Sequence, residues 1–186
     1  MALILASGSP RRRELMRYIT DDFTVRVSDA DETAPAGLGP RALVEHLAKQ
    51  KGDAVFESCE ENDVVVSADT VVYADGKVLG KPHGESEARE MLLALSGKIH
   101  TVYTGVYIRA AQQTKSFHVA TDVEFYPLTE EEISEYIATG EPFDKAGGYG
   151  IQTKGGLLVK GIRGDYYNVV GFPLAEVRRA LRAFGV

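Results

Sequence analysis

The sequence predicts an α/β fold built on a mixed sheet, and three observations carry that reading. Apolar runs of strand length alternate with helical patterns along the whole chain. Two strand pairs flank short polar turns, Ala74-Asp75-Gly76-Lys77 and Gln112-Gln113-Thr114-Lys115, so part of the sheet is antiparallel. No repeat, low-complexity tract or long linker divides the 186 residues, and 44% of them are hydrophobic, enough for one sizeable core or two lobes within a single domain, 1–186.

Taken in order, the apolar run Leu3–Ala6 reads as a short buried strand. Ser9 then stands at an N-cap position with Pro10 at the first helical position, opening a helix over Pro10–Ile19. A strand at Phe23–Val27 leads to Ala34–Pro40, the loosest stretch, read as a mobile loop. A helix at Arg41–Phe56 precedes the apolar strand Val64–Tyr73, which returns as a hairpin at Val78. The helix Glu85–Leu95 follows, then the strands Thr101–Arg109 and His118–Tyr126 around the second polar turn. A helix at Glu130–Thr139, a strand at Leu157–Ile162 and a helix at Leu174–Phe184 complete the chain.

The turn after the first strand carries the strongest chemical signal. In Ser7-Gly8-Ser9-Pro10-Arg11-Arg12-Arg13 a helix begins with its unpaired N–H groups and positive dipole end beside guanidinium groups. Cations there repel the helix dipole and one another unless an anion binds, so the arrangement favours phosphate over an ordinary capped helix.

Asp69 is the second signal. It interrupts Val64-Val65-Val66-Ser67-Ala68-Asp69-Thr70-Val71-Val72, where an ionised carboxylate is costly unless it is paired, hydrogen-bonded or bound to metal. Lys81, in Gly80-Lys81-Pro82, is held extended by the proline, and the hairpin can return it toward the end of that strand. A carboxylate with cations nearby suits phosphoryl chemistry. Asp29, Asp31 and Glu32 form an acidic cluster that could share a cation with Asp69 or simply be a solvated loop. Lys49 and Lys51, two apart on a helix, point to different faces, so at most one serves a cleft. The glycine-rich run Gly140–Gln152 allows close backbone approach to a ligand, and Gln152 offers both a donor and an acceptor to a base edge.

Other classes are disfavoured. With 27 acidic against 21 basic residues the formal charge is −6, unlike the basic footprint of a general nucleic-acid binder. One cysteine, Cys59, rules out an internal disulfide or a cysteine-based metal cluster. The start lacks the basic and apolar regions of a signal peptide, and no run reaches the ~20 apolar residues of a membrane span, so the compartment expected is the cytoplasm. The P-loop, dinucleotide and serine-hydrolase glycine signatures are absent. His46, His83, His100 and His118 lack metal-ligand spacing, and Arg163-Gly164-Asp165 reads as a turn.

Together these segments resemble the Maf family of nucleoside triphosphate pyrophosphatases. The matching runs, in order, are Ala6–Arg12, Ser67–Val72, Gly80–Pro82, Glu141–Gln152 and Asn168–Leu174, and they span essentially the whole chain. The resemblance implies a two-lobed α/β fold with a long twisted mixed sheet around a central cleft, related to the inosine triphosphate pyrophosphatases. Asp69-Thr70 together with Asp144–Gln152 resembles the branch that hydrolyses dTTP and UTP. Alternatives are the same reaction on 7-methyl-GTP, or a non-catalytic nucleotide-binding regulator of septum formation. Two departures are small: Gly148 stands where alanine is frequent, and Lys51-Gly52 replaces a common Lys-Ala.

The implied reaction is attack of water on the α-phosphorus of a nucleoside triphosphate, giving the monophosphate and pyrophosphate. On this resemblance Asp69, Glu32, Lys51 and Lys81 are the catalytic set, and Ser7, Arg11, Arg12, Thr70 and Gln152 bind substrate. Asp69 and Glu32 would hold Mg²⁺ or Mn²⁺, with the choice of which carboxylate orients the water left open. The resemblance is compatible with a homodimer, and neither a nucleic-acid polymer nor a membrane is expected as partner.

Overall fold

Leu3–Ala6 forms β1 with all four residues buried, as an unbroken apolar run requires of a strand covered on both faces. It pairs in parallel with β2 (Thr24–Arg26) on one side and with β3 (Val64–Ala74) on the other. The computed structural model describes residues 1–30 and 32–186; Asp31 of the acidic cluster lies outside the described residues.

Asp75 and Gly76, both at positive φ, make the turn that folds β4 (Lys77–Leu79) antiparallel onto β3, pairing Leu79 with Val72. β5 (Ile99–Ala110) and β6 (Gln113–Phe125) form a long hairpin, and β7 (Val159–Arg163) lies antiparallel to β6. The strand order β2-β1-β3-β5-β6-β7, with β4 on β3, makes a mixed seven-stranded sheet among the described residues. The expected α/β class with a mixed sheet is therefore what the chain adopts.

The helices are α1 (Pro10–Arg17), α2 (Pro40–Phe56), α3 (Glu85–Leu95), α4 (Glu130–Ala138), α5 (Tyr166–Val170) and α6 (Leu174–Leu181). Thr129 and Glu132 start α4 with a reciprocal capping box. Among the described residues no helix is long and apolar enough to cross a membrane.

Several boundaries differ from the sequence reading. The second hairpin turns at Ala111 and Gln112, and Gln113, Thr114 and Lys115 belong to β6. Those polar residues sit on an exposed strand end, where pairing satisfies the backbone whatever the side chains prefer. Leu157 and Leu158 lie in a 3-10 turn (Lys154–Leu158) that precedes β7. α6 gives way to a 3-10 turn at Arg182–Phe184, and Pro40 starts α2, not the end of a loop. The sequence reading missed α5 altogether; at five residues it is too short for a helical period to show.

The chain forms two compact units: Met1–Asp69, Thr104–Val119 and Gly171–Val186 make the first, and Thr70–Tyr103 with Ala120–Val170 make the second. β3, β5 and β6 contribute residues to both. In the first unit Ile4, Ala6, Val55 and Val65 pack together, with Phe56 and Cys59 against them. In the second, Val72, Leu92, Leu95, Val123, Phe125 and Ile133 anchor a larger cluster under α3 and α4.

One close approach in the first unit positions the site. Gly52 of α2 lies so near β3 and β5 that a Cβ there would stand 2.7 Å from both Ser67 Oγ and Tyr107 Cδ1. The Lys51-Gly52 departure is thus a fit: glycine lets α2 press onto the sheet.

Candidate active site

Ser67 and Asp69 alternate onto one face of β3, and Ala48 and Lys51 share one face of α2. The buried Ser67 hydroxyl donates to Ala48 O at 2.7 Å, which locks strand to helix. That register brings Lys51 Nζ to 2.6 Å from Asp69 Oδ1 and 3.1 Å from Glu32 Oε2. The ammonium therefore bridges two carboxylates. Lys49, two residues back, pairs with Asp53 on the exposed side, so the two lysines do take different faces.

The two halves of this bridge differ in weight. The side chains of Lys51 and Asp69 are only 14% and 11% exposed, whereas that of Glu32 is 61% exposed. The Glu32 contact belongs to the regime of surface pairs, worth about 0–1 kcal/mol. Separating Lys51 from Asp69 leaves a poorly solvated carboxylate and approaches the regime where breaking a buried pair costs about 3–5 kcal/mol.

Ser9 caps α1 as expected, its hydroxyl accepting from Arg12 N, with Pro10 at the first position. The arginines behind it do not all face solvent. Arg12 Nε donates to Gly171 O at 2.8 Å, and its Nη1 donates to Ala68 O at 2.8 Å and to Ser7 Oγ at 3.5 Å. One guanidinium so fastens the end of β1, the residue before Asp69 and the segment before α6. Burial of its charged end pushes the Arg12 pKa below its usual value; nearby Arg11 adds to this, while Asp69 and Glu32 oppose it. Sequence reasoning missed the Gly171 carbonyl as a partner, because a backbone acceptor leaves no mark on residue type.

Ser7 is buried, and its hydroxyl oxygen accepts from Ser9 N at 3.2 Å as well as from Arg12. What it can offer a phosphate is its hydroxyl proton. Arg11 is half-buried on the first turn of α1. The first unit thus brings together Ser7, Arg12, Glu32, Lys51 and Asp69.

Thr70, Lys81 and Gln152 belong to the second unit. β4 runs back along β3 as far as Leu79 opposite Val72, and Lys81 follows two residues later. Lys81 is exposed, and its segment is tied to the glycine-rich run by Gly147 N donating to Gly80 O at 2.8 Å. Gly147 has φ +69, and a Cβ there would meet the Val72 side chain at 2.8 Å, so both backbone angle and space call for glycine. Within the same run Lys145 Nζ donates to Glu141 O at 2.8 Å and pairs with Asp144 at 2.6 Å. Gln152 is exposed.

Residues 2–184 match the Maf-like protein family. The chain belongs to the Maf family. Similar relatives include a dTTP/UTP pyrophosphatase of Bacillus cereus, 50% identical over 184 residues, which cover 99% of this chain and 96% of that one. Another, a dTTP/UTP pyrophosphatase of Bacillus mycoides, is 52% identical over 182 residues, covering 98% and 95%. Among solved structures, the Staphylococcus aureus Ham1 protein gives a TM-score of 0.49 at 16% identity, over 67% of this chain and 72% of that one. The fold is defined by the sheet order itself.

The donor set fits a hard divalent cation of the Mg²⁺ type. Asp69 and Glu32 already share one cationic centre, the Lys51 ammonium. Among the described residues no group of three or more His, Cys, Asp or Glu could hold a metal. Mg²⁺ characteristically takes one or two carboxylates and completes its shell with water and substrate phosphates, so two carboxylates suffice.

Proposed function

We propose that this chain hydrolyses dTTP and UTP to the nucleoside monophosphate and pyrophosphate, keeping the nucleotide pool clear of surplus or modified pyrimidine triphosphates. The observation that carries the reading is the Lys51–Asp69–Glu32 cluster beside the arginine-bearing start of α1. It lies in a chain half identical to relatives named for that reaction.

In this reading Arg11, Lys51 and Lys81 neutralise the triphosphate, and the Ser7 hydroxyl holds a phosphate oxygen. Arg12 adds its positive field while staying fastened to the Gly171 and Ala68 carbonyls. One carboxylate of the Asp69–Glu32 pair takes a proton from the attacking water, while Asp69 keeps an oxygen on Lys51. The water oxygen bonds to the α-phosphorus as the bond to the bridging oxygen breaks, and the electron pair leaves with pyrophosphate. When bound by Asp69 and Glu32, Mg²⁺ or Mn²⁺ supplies positive charge against the pyrophosphate leaving group. Lys51 holds the Asp69 carboxylate in place until substrate arrives. Thr70 and Gln152 contact the nucleoside and set base choice.

The test is pyrophosphate release from dTTP, UTP, CTP, GTP and 7-methyl-GTP with Mg²⁺ or Mn²⁺, with Asp69→Asn as control. Release confined to dTTP and UTP and lowered at least ~100-fold in the variant is the expected result. Tight binding of any of the five without release would overturn it in favour of a regulator.

A further inference from the structure

His100, at the start of β5, is buried in the second unit and takes no part in the chemistry above. Its Nε2 lies 2.7 Å from the hydroxyl of Tyr149, which is buried as well. The two rings and Phe125 form a three-ring cluster, each pair edge to face, with centroids 4.7–5.3 Å apart. The other imidazole nitrogen, Nδ1, is buried without a hydrogen-bond partner among the described residues. Burial pushes the His100 pKa down to about 4, against the pull of Asp122, and raises that of Tyr149, so both groups are neutral near pH 7.

A phenylalanine would fill this place without an orphaned nitrogen. What the imidazole gains for that cost, among the described residues, is the bond to Tyr149. Tyr149 stands one residue ahead of the turn that carries Gln152. The next residue is pinned too, with Gly150 N donating to Tyr136 Oη at 3.1 Å, and beyond Gln152 the Thr153 hydroxyl donates to Glu141 at 2.6 Å. Gln152 is thus an exposed residue on a short segment clamped at both ends, and the deepest clamp runs to His100.

We infer that His100 is a positioning residue for nucleotide choice: through its hydrogen bond to Tyr149 it fixes the segment that presents Gln152 to the base. This rests on the reading of Gln152 as a base contact. The bond acts on recognition, not on the reacting phosphorus.

The experiment is a double-mutant cycle of His100→Phe, Tyr149→Phe and the pair, assayed for kcat and KM on dTTP, UTP and CTP, with thermal melting to verify folding. Each single variant is expected to melt as a folded protein, keep kcat on dTTP, raise KM for dTTP and UTP about three- to tenfold and narrow the preference over CTP. The pair is expected to do no more than either single change, because both remove one bond. Tyr149→Phe leaves the ring packing intact and carries the test if His100→Phe fails to fold. Two outcomes overturn the inference. If the wild type prefers dTTP and UTP and the folded variants keep that preference unchanged, only the role of His100 fails. If the wild type shows no base preference, the reading of Gln152 fails and the inference falls with it.

Discussion

Lys51 Nζ sits 2.6 Å from Asp69 Oδ1, and both side chains are nearly removed from water. With Glu32 that pair forms the charged cluster of the candidate site. Lys51→Met deletes the ammonium while keeping the apolar stem, so it leaves Asp69 with a desolvated charge. The expected cost is about 2–4 kcal/mol, below the limit for fully buried pairs because Glu32 and solvent reach the site. Asp69→Asn in the Lys51→Met background should recover much of that loss. Urea denaturation of the four proteins measures the coupling; additive losses would show that the pair does not act as a unit.

Gly52→Ala tests how tightly α2 must lie on the sheet. Alanine in a helix interior gains roughly 0.5–1 kcal/mol over glycine. The new methyl would stand 2.7 Å from both Ser67 Oγ and the Tyr107 ring, and overpacking of that kind costs about 1–3 kcal/mol. The clash outweighs the propensity. The variant should be less stable and, because Ser67 and Ala48 set the Lys51–Asp69 register, less active as well. A variant that melts higher than the parent with full activity would contradict this.

Arg12 tests geometry against charge. Its Nε and Nη1 reach the carbonyls of Gly171 and Ala68, a forked pattern that a lysine ammonium cannot reproduce. Arg12→Lys keeps the positive charge but should lose about 1–3 kcal/mol of stability and lower kcat, since Ala68 adjoins Asp69. Arg13→Lys, one position further along α1 and exposed, should instead leave stability within ~0.5 kcal/mol. Melting curves and steady-state kinetics on both variants separate the two roles. Equal effects would argue that Arg12 serves only as charge.

Much of the candidate site is legible in the residue order. A carboxylate inside an apolar strand and arginines at a helix start are local contradictions, and local contradictions are visible in residue order. The glycine and proline punctuation likewise placed β1, α1, α3 and the Asp75-Gly76 turn. What stayed hidden depends on partners distant in sequence. Nothing around Gly171 shows that its carbonyl receives Arg12, and nothing around His100 shows that it meets Tyr149, 49 residues away. The polar start of β6 was hidden for another reason: strand pairing at Gln113–Lys115 overrides a turn-like composition.

His100 also predicts how the protein responds to acid. Its pKa is about 4 when folded against 6.5 for an unperturbed imidazole, chiefly because burial penalises the charged ring. Below pH 6.5 the unfolded chain therefore binds a proton that the folded chain refuses, and stability falls as pH drops through about 4, below which both forms are protonated. The whole step is worth about 3 kcal/mol. Carboxylates held low in the folded protein act in a lower window: Asp63, which accepts from Ala2 N and Glu60 N, and Asp122, bonded by Arg163 and Thr101, lose their contribution only below the usual Asp value of 3.8. Calorimetry at pH 7, 5.5 and 4.5 should show the wild type losing melting temperature across that range and His100→Phe losing distinctly less. Parallel decline of the two proteins would mean that His100 is not the group that titrates there.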